Sequence, residues 1–461
     1  MVSSMALFDW LTSLIKGKKK ASAERLTEKA FLPSGGEATT PKILLTPIAN
    51  DKGGEAAKRL SAVLTEIAGV EVFQLKKGLK VPDTIQDPMA RLMTAADEGR
   101  ALLHDQGADV LVWGDISRET SGLTMRVLPA PGTSSDQSKA SGYGETLEIP
   151  VDFAEDVNPL VAAMVIGTFG PTFKGSRARL GETLGGYLEH VAPMVESPPG
   201  GMLDAQELSV LNAIGNVYVA YSHLGGGPEQ LDLAVKAYSQ AEKKVSKDTQ
   251  PLAWASIQDN LAAALQAQGQ MKKDAKSLRE AAMIYSSVGS TLSESVNPNE
   301  WGAAQANLGR TLYILAGIEG KPEYLKRAVD AYETVLKVCD KNTNPGRWAE
   351  VTNQYGVVLL AFGEETGGED ILEKAVSRFR EAMKVHKRDT APVLWAQTAN
   401  NLGAACFALA KRNSQNSFLQ EASNCFEGAT EVYRQQGASK QAEVIEKNLF
   451  RVKRLLMTRG G

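Results

Sequence analysis

The residues best equipped for chemistry are few and scattered along the 461-residue chain. Two glycine-rich stretches hold a lysine of the kind that cradles phosphate when it is correctly spaced between a strand and a helix. These are Ala49-Asn50-Asp51-Lys52-Gly53-Gly54 and Gly170-Pro171-Thr172-Phe173-Lys174-Gly175-Ser176. The first lacks the spacing and the second has its lysine one place early, so neither builds a phosphate loop. If the strand-end loops bind anything, Asn50, Asp51 and Lys52 are placed to do it, at the carboxyl end of the first expected strand. The histidines His104, His190, His223 and His386 fall in four different expected helices, and none follows a nucleophile-elbow or metal-binding pattern. His386 shares a helical column with Val245, Leu292, Cys339 and Tyr433 and reads as space-filling. Cys339, Cys406 and Cys425 have no partner at metal-ligand spacing, and an odd number of cysteines makes no disulfide framework. The chain is therefore expected to carry no catalytic residues, no metal and no cofactor.

A second kind of chemistry sits at the amino end. Residues 1–30 hold Lys16, Lys18, Lys19, Lys20, Arg25 and Lys29 against Asp9, Glu24 and Glu28, a local charge of +3 in a chain of net −3. Leu7, Phe8, Leu11, Leu14 and Ile15 lie on one helical face, with Trp10 at its margin. Because the charges follow the apolar part, this is not a secretory signal. Such an arm, Phe8, Trp10 and Leu11 followed by Lys16, Lys18, Lys19 and Lys20, suits the plane of an anionic membrane surface. Docking on the protein's own domains or on a partner helix is the competing use. Pro33 to Pro41 would be the tether.

The whole chain is ordinary globular material, 43% hydrophobic and 23% charged, long enough for several cores. It lacks the basic excess that draws proteins onto nucleic acid, so none is expected as a partner. Its longest apolar run, Leu160 to Phe169, is well short of the roughly 18 residues a membrane span needs. With three cysteines, the cytoplasm is the expected compartment, with attachment to the inner membrane left to the arm.

The elements that must position any site are announced by a repeat. Trp254, Trp301, Trp348 and Trp395 are spaced by 47 residues, each preceded three residues earlier by Pro251, Pro298, Pro345 or Pro392. A second pattern runs Leu231, Ala234, Tyr238, Ala241, Val245, and recurs from Leu278, Leu325, Leu372 and Leu419. Its steps of three and four trace one helical face. Each unit is thus a helical hairpin, with an A helix opened by proline and a B helix carrying the Leu-x-x-Ala pattern. Gly215, Ala262, Gly309, Gly356 and Gly403 form a small-residue column that lets the A and B helices approach. Leu265, Leu312, Leu359 and Cys406 form a core column, and the tryptophans read as packing wedges. The first unit is worn, with Glu207 where the Trp should stand, and Lys440 to Met457 reads as a closing helix. Such hairpins must stack to bury their apolar faces.

Upstream, Ile43-Leu44-Leu45 and Val70 to Phe73 read as strands around a helix marked by Leu60, Leu64 and Ile67. A second helix, from about Pro88 to His104, leads into the apolar strand Ala108 to Gly114, expected to be buried on both faces. This βαβαβ order calls for a parallel sheet. Two more strands near Leu123–Leu128 and Thr146–Val151, joined by a Gly- and Ser-rich hairpin loop, precede helices from about Pro159 and Lys174.

The repeat resembles the tetratricopeptide repeat (TPR) family on Leu308-Gly309 with Leu312, and on Ala328 with Tyr332. It looks like an elongated bacterial variety, its 47-residue unit exceeding the usual length of about 34. The likeness spans about residues 203–458 and implies a curved solenoid whose A helices line a groove for peptides or protein surfaces. Carried onto this chain, the groove positions beside the Leu-Gly pair are Asn216, Asn260, Asn307, Arg310, Gln354 and Asn401. An amide can pair with a peptide bond as donor and acceptor, and Arg310 offers a fork to a carboxylate. The competing use of the amides is to satisfy neighbouring side chains between packed helices. The opening Leu-Leu-Thr-Pro-Ile and the phrase Gly107 to Ile116 are similar to TolB-like amino-terminal domains, α/β modules of bacterial envelope and regulatory proteins.

The expected fold class is an α/β amino-terminal domain followed by an all-α TPR-like superhelical solenoid. Its parts are a basic amphipathic arm and linker (1–41), the α/β domain (42–200), five hairpins (201–436), and a capping helix and tail (437–461). The expected function is a non-catalytic adaptor or scaffold holding a protein or peptide in the groove. The alternative is a ligand-responsive regulator whose α/β domain binds a small molecule and controls the solenoid. Oligomeric state is left open.

Overall fold

A computed structural model describes residues 40–79, 84–117, 120, 122–130, 145–169 and 177–460. The arm, including Phe8, Trp10, Leu11, Lys16, Lys18, Lys19 and Lys20, lies outside the described residues. By their contacts the described residues fall into two units, 40–292 and 293–460.

The first unit begins with strand β1 (Lys42–Leu45), helix α1 (Glu55–Thr65), β2 (Glu71–Gln74), α2 (Pro88–Gln106), β3 (Val110–Ile116), β4 (Gly122–Pro129) and β5 (Glu145–Pro150). The sheet order is β2-β1-β3-β4-β5, with β1 parallel to β2 and β3, and β4 antiparallel to both β3 and β5. The expected βαβαβ core and added hairpin are both present. On one sheet face, Ile43, Leu45, Val110, Val112, Val127 and Leu147 are all buried. On the other, α2 sets Ala96 and Leu103 on Leu44, Leu111 and Leu128. That approach requires glycine at 99, since a Cβ there would stand 2.7 Å from the Leu111 side chain. Cover on this face ends at Leu111. Trp113 is only half-buried and lies under the Arg126 guanidinium, 5.0 Å from its ring centroid, so the expected burial of Ala108 to Gly114 is interrupted at Asp109 and Trp113 and unbroken over Val110 to Val112.

Helices α3 (Asn158–Gly167) and α4 (Arg177–Val191) lead to the first hairpin, α5 (Asp204–Tyr221) and α6 (Gln230–Glu242). Helix α5 packs on both β5 and α3. Its Ser209 hydroxyl accepts the Glu148 N–H of the edge strand at 2.8 Å. An edge amide is thereby satisfied by a neighbouring helix instead of being left open for another chain. The first A helix is thus a layer of the α/β domain as well as a repeat, and the contacts keep both together with the second hairpin, α7 (Pro251–Lys272) and α8 (Ala275–Thr291).

The second unit holds α9 (Pro298–Glu319) with α10 (Pro322–Val338), α11 (Pro345–Thr366) with α12 (Glu369–Met383), α13 (Pro392–Asn413) with α14 (Asn416–Gln435), and the closing helix α15 (Ser439–Thr458). Every repeat proline opens its A helix as expected, where its missing N–H costs nothing. The small-residue column is where the B-helix aromatic lands: a Cβ on Gly215, Gly309, Gly356 or Gly403 would meet Tyr238, Tyr332, Phe379 or Phe426 at 2.4–2.9 Å. Seven residues later a second small column, Gly269, Ala316, Gly363 and Ala410, repeats the device, Gly269 and Gly363 lying against Leu278 and Leu372. Each A helix from α7 onward ends on a left-handed residue, Lys273, Gly320, Gly367 or Ser414.

The core column Leu265, Leu312, Leu359 and Cys406 is buried. Trp254 and Trp301 are buried, and Trp348 and Trp395 half-buried, with the Trp395 ring filling the space a Cβ on Gly428 would need. Lys247, Lys341 and Arg388, each seven residues before a tryptophan, lie 4.7–5.3 Å from the ring centroid. Where Glu207 replaces the Trp, Lys244 makes an ion pair with it instead. His386 lies past the last residue of α12, in the turn and not in a helix, and is only 5% exposed.

Candidate functional site

The polar groups beside the Leu-Gly pair divide by what stands opposite them. The Asn260 amide donates to Asn212 Oδ1 at 2.8 Å, joining α7 to α5. The Asn401 amide donates to Asn353 Oδ1 at 3.2 Å, joining α13 to α11, with both residues buried. In each rung the donor lies 48 residues after its acceptor, one place more than the repeat. These amides are engaged by the scaffold, since a buried amide without a partner carries a large desolvation cost. Asn307 is half-buried and also engaged, and its backbone carbonyl accepts the Thr311 hydroxyl at 2.8 Å. Asn216 donates to Glu145 Oε2 at 2.5 Å and accepts from the Tyr238 hydroxyl at 2.6 Å, tying α5 to β5 and α6.

Gln354 and Arg310 are different. Both are half-buried, and neither has a hydrogen-bond or ion-pair partner among the described residues. The rung offset of 48 residues sets Gln354 opposite Ala306, whose methyl offers no hydrogen bond, and Arg310 follows one turn later along α9. Arg310 lies near the buried Tyr332 hydroxyl, with Arg347 and Glu350 close by. Burial pushes the Tyr332 hydroxyl well above its usual pKa, and Arg310 and Arg347 pull the other way. Arg347 and Glu350 face each other at 3.5 Å, so Arg310 is the uncompensated charge of this group. Tyr332 stacks on Tyr355 with ring centroids 6.5 Å apart, and Tyr355 donates to Glu333 at 2.5 Å, holding the floor in place. A half-buried amide and a half-buried guanidinium, both without partners among the described residues, can together take a peptide bond and a carboxylate from adjacent A helices.

The α/β loop is committed to its own closure. Asp51 accepts the Ala57 N–H at 3.0 Å, and Asn50, in the left-handed region, donates to the Ile116 carbonyl at 3.2 Å. Lys52 is exposed. No group of three or more His, Cys, Asp or Glu placed to hold a metal ion occurs among the described residues. Burial raises the thiols of Cys406 and Cys425, the latter to about 12, which suits packing and not nucleophilic work. The sequence reading missed the acceptor residues Asn212 and Asn353. Their signal is weak, because their column also holds Asp259 and Ala306.

No protein-family model matches the chain, and no curated protein matches it. Among solved structures, the chain is similar to BtubC (BKLC) from P. vanneervenii, at 17% identity over 51% of this chain and 93% of that one, TM-score 0.30. A circular tandem repeat protein with a novel repeat topology matches at 12% identity over 66% and 87%, TM-score 0.30. A Rap protein complexed with Competence and Sporulation Factor matches at 13% identity over 82% and 90%, TM-score 0.32. With TM-scores this low, the fold rests on the chain's own packing: an α/β sheet domain followed by consecutive helical hairpins.

Proposed function

We propose that this chain is a non-catalytic, TPR-like scaffold that holds an extended segment of another protein against its A helices. One observation carries the reading. Of the six polar groups beside the Leu-Gly pairs, Asn216, Asn260, Asn307 and Asn401 are engaged within the protein, whereas Arg310 and Gln354 have no partner among the described residues. A partner carboxylate takes Arg310 and a partner backbone amide takes Gln354. The test is co-purification of partners with the full chain and with the double variant Arg310→Ala, Gln354→Ala. Loss of partners with unchanged melting supports the reading, and an unchanged partner set ends it. The compartment in this reading is the cytoplasm, and the arm at 1–41 holds the protein on the inner-membrane surface. Deleting residues 2–20 should move the protein from pellet to supernatant on fractionation.

A second reading, a small-molecule site in the α/β domain, draws on one row of side chains. Trp113, Arg126 and Thr146 stand side by side on β3, β4 and β5, and their Nε1, Nε and Oγ1 atoms are buried without a hydrogen-bond partner among the described residues. Such a row calls for an acceptor-bearing ligand. A panel of small carboxylates that leaves the melting temperature unmoved would dismiss it.

A further inference from the structure

Among the described residues, the closing helix α15 packs by one face. Gln441, Ala442, Ile445, Asn448 and Val452 are buried on that face, and the helix packs on α14 and α13. The opposite face carries Phe450, 67% exposed, and Met457, 76% exposed, which lie seven residues apart and so on one line. Lys440, Lys447, Arg451 and Arg454 stand around them, all exposed and none with a carboxylate partner among the described residues. Arg451 bonds to Asn448 at 3.3 Å, Lys453 pairs with Glu427 at 2.7 Å, and Arg434 takes Glu446. Glu443 is the remaining carboxylate of the helix, so the face presents four cations and one anion about two large apolar side chains.

What fits this face is decided by its charge. The surfaces that receive helices in this unit are mostly apolar and uncharged, as on α14, where Leu419, Ala422, Phe426 and Ala429 are buried with Ser423 and Thr430. A further hairpin stacked on α15 would have to desolvate Lys447 and Arg454. A second copy would bring the same cations. A surface dense in phosphates meets both features, accepting the cations while its acyl boundary takes the apolar side chains. We propose that the outer face of α15 docks on an anionic phospholipid surface, with Phe450 and Met457 entering the headgroup boundary and Lys440, Lys447, Arg451 and Arg454 meeting phosphates. The proposal is independent of the peptide groove and of residues 1–41.

The test uses the full chain and sedimentation with vesicles of phosphatidylglycerol and phosphatidylcholine in equal parts, against phosphatidylcholine alone. Binding is expected to the mixed vesicles only, and to fall as salt is raised. Lys447→Glu with Arg454→Glu should lower partitioning at least about 25-fold, each cation near such a surface being worth roughly fivefold. Phe450→Ser with Met457→Ser should lower it about tenfold. All four side chains are exposed, so melting should not change. Equal binding to phosphatidylcholine alone, no binding to the mixed vesicles, or wild-type partitioning of both variants would each overturn the proposal. So would loss of binding in Lys18→Glu, Lys19→Glu, Lys20→Glu together with full binding in the α15 variants, which would assign the membrane contact to the arm.

Discussion

Helices α5 and α9 occupy the same place in their hairpins yet use the same columns differently. On α5 the position after the small residue is Asn216, which is held between Glu145 and Tyr238, and on α9 it is Arg310, near Tyr332 with no hydrogen-bond or ion-pair partner among the described residues. At the tryptophan position α5 has Glu207 paired with Lys244, whereas α9 has a buried Trp301. The cause is the neighbour. Helix α5 lies against β5, where Glu145 and Glu148 need partners, so its polar groups turn to the sheet. A column in a repeat therefore fixes where a side chain stands, and the element across from it decides whether the side chain supports the fold or reads a ligand.

The largest effect expected from breaking this comparison is in the packing both regions share. Phe379→Ala, which empties the space beside Gly356, should cost about 3–5 kcal/mol by urea denaturation. A value below about 1 kcal/mol would mean that the small column is not set by the aromatic. Next come the polar groups. Asn401→Ala strands Asn353 in the core and should cost roughly 1–3 kcal/mol. Asn216→Ala should behave alike, while Arg310→Ala should stay within about 0.5 kcal/mol of wild type. Equal costs for Asn216→Ala and Arg310→Ala would erase the distinction between supporting and ligand-reading positions.

His386 sharpens the comparison through pH. Its Nδ1 lies 2.9 Å from the Thr398 hydroxyl, which itself donates to the Leu394 carbonyl, so Nδ1 carries the proton of a neutral ring. Burial lowers its pKa below the usual 6.5. The unfolded chain then binds a proton first as pH falls, so stability is lost below about pH 6.5, by at most ~1.4 kcal/mol per pH unit. His386→Leu, matching Leu292 in the same column, should lose less stability than wild type between pH 7 and 5. Parallel pH profiles would contradict this. The smallest effect is at the helix ends: Ser414→Gly and Lys273→Gly relieve left-handed strain and should each add about 1 kcal/mol, bringing them to the state of Gly320 and Gly367. A loss of stability in either would show that its side chain outweighs its backbone.

Much of the fold was legible along the chain because its causes are local. A proline that opens an A helix and a small residue 23 places before the aromatic that packs on it both recur with the repeat and depend on one hairpin's own geometry. The strands were legible for the same reason, from Ile43-Leu44-Leu45 and Val110-Leu111-Val112. The roles of Asn260 and Asn401 were not, since their acceptors sit on another A helix at an offset that is not the repeat length. Nor was the use of α5 as a layer on β5, where Ser209 and Asn216 serve a strand some sixty to seventy residues upstream.

By itself, then, the sequence determined the helical period, the hairpin joints and the identity of the packing columns, because each follows from side-chain size and spacing within about one unit. Only the tertiary structure decided which polar residues are satisfied. Hydrogen bonding depends on whether an acceptor lies within about 3 Å, and that depends on which neighbour the fold delivers. For Gln354 it delivered Ala306, and for Arg310 no carboxylate at ion-pair distance among the described residues.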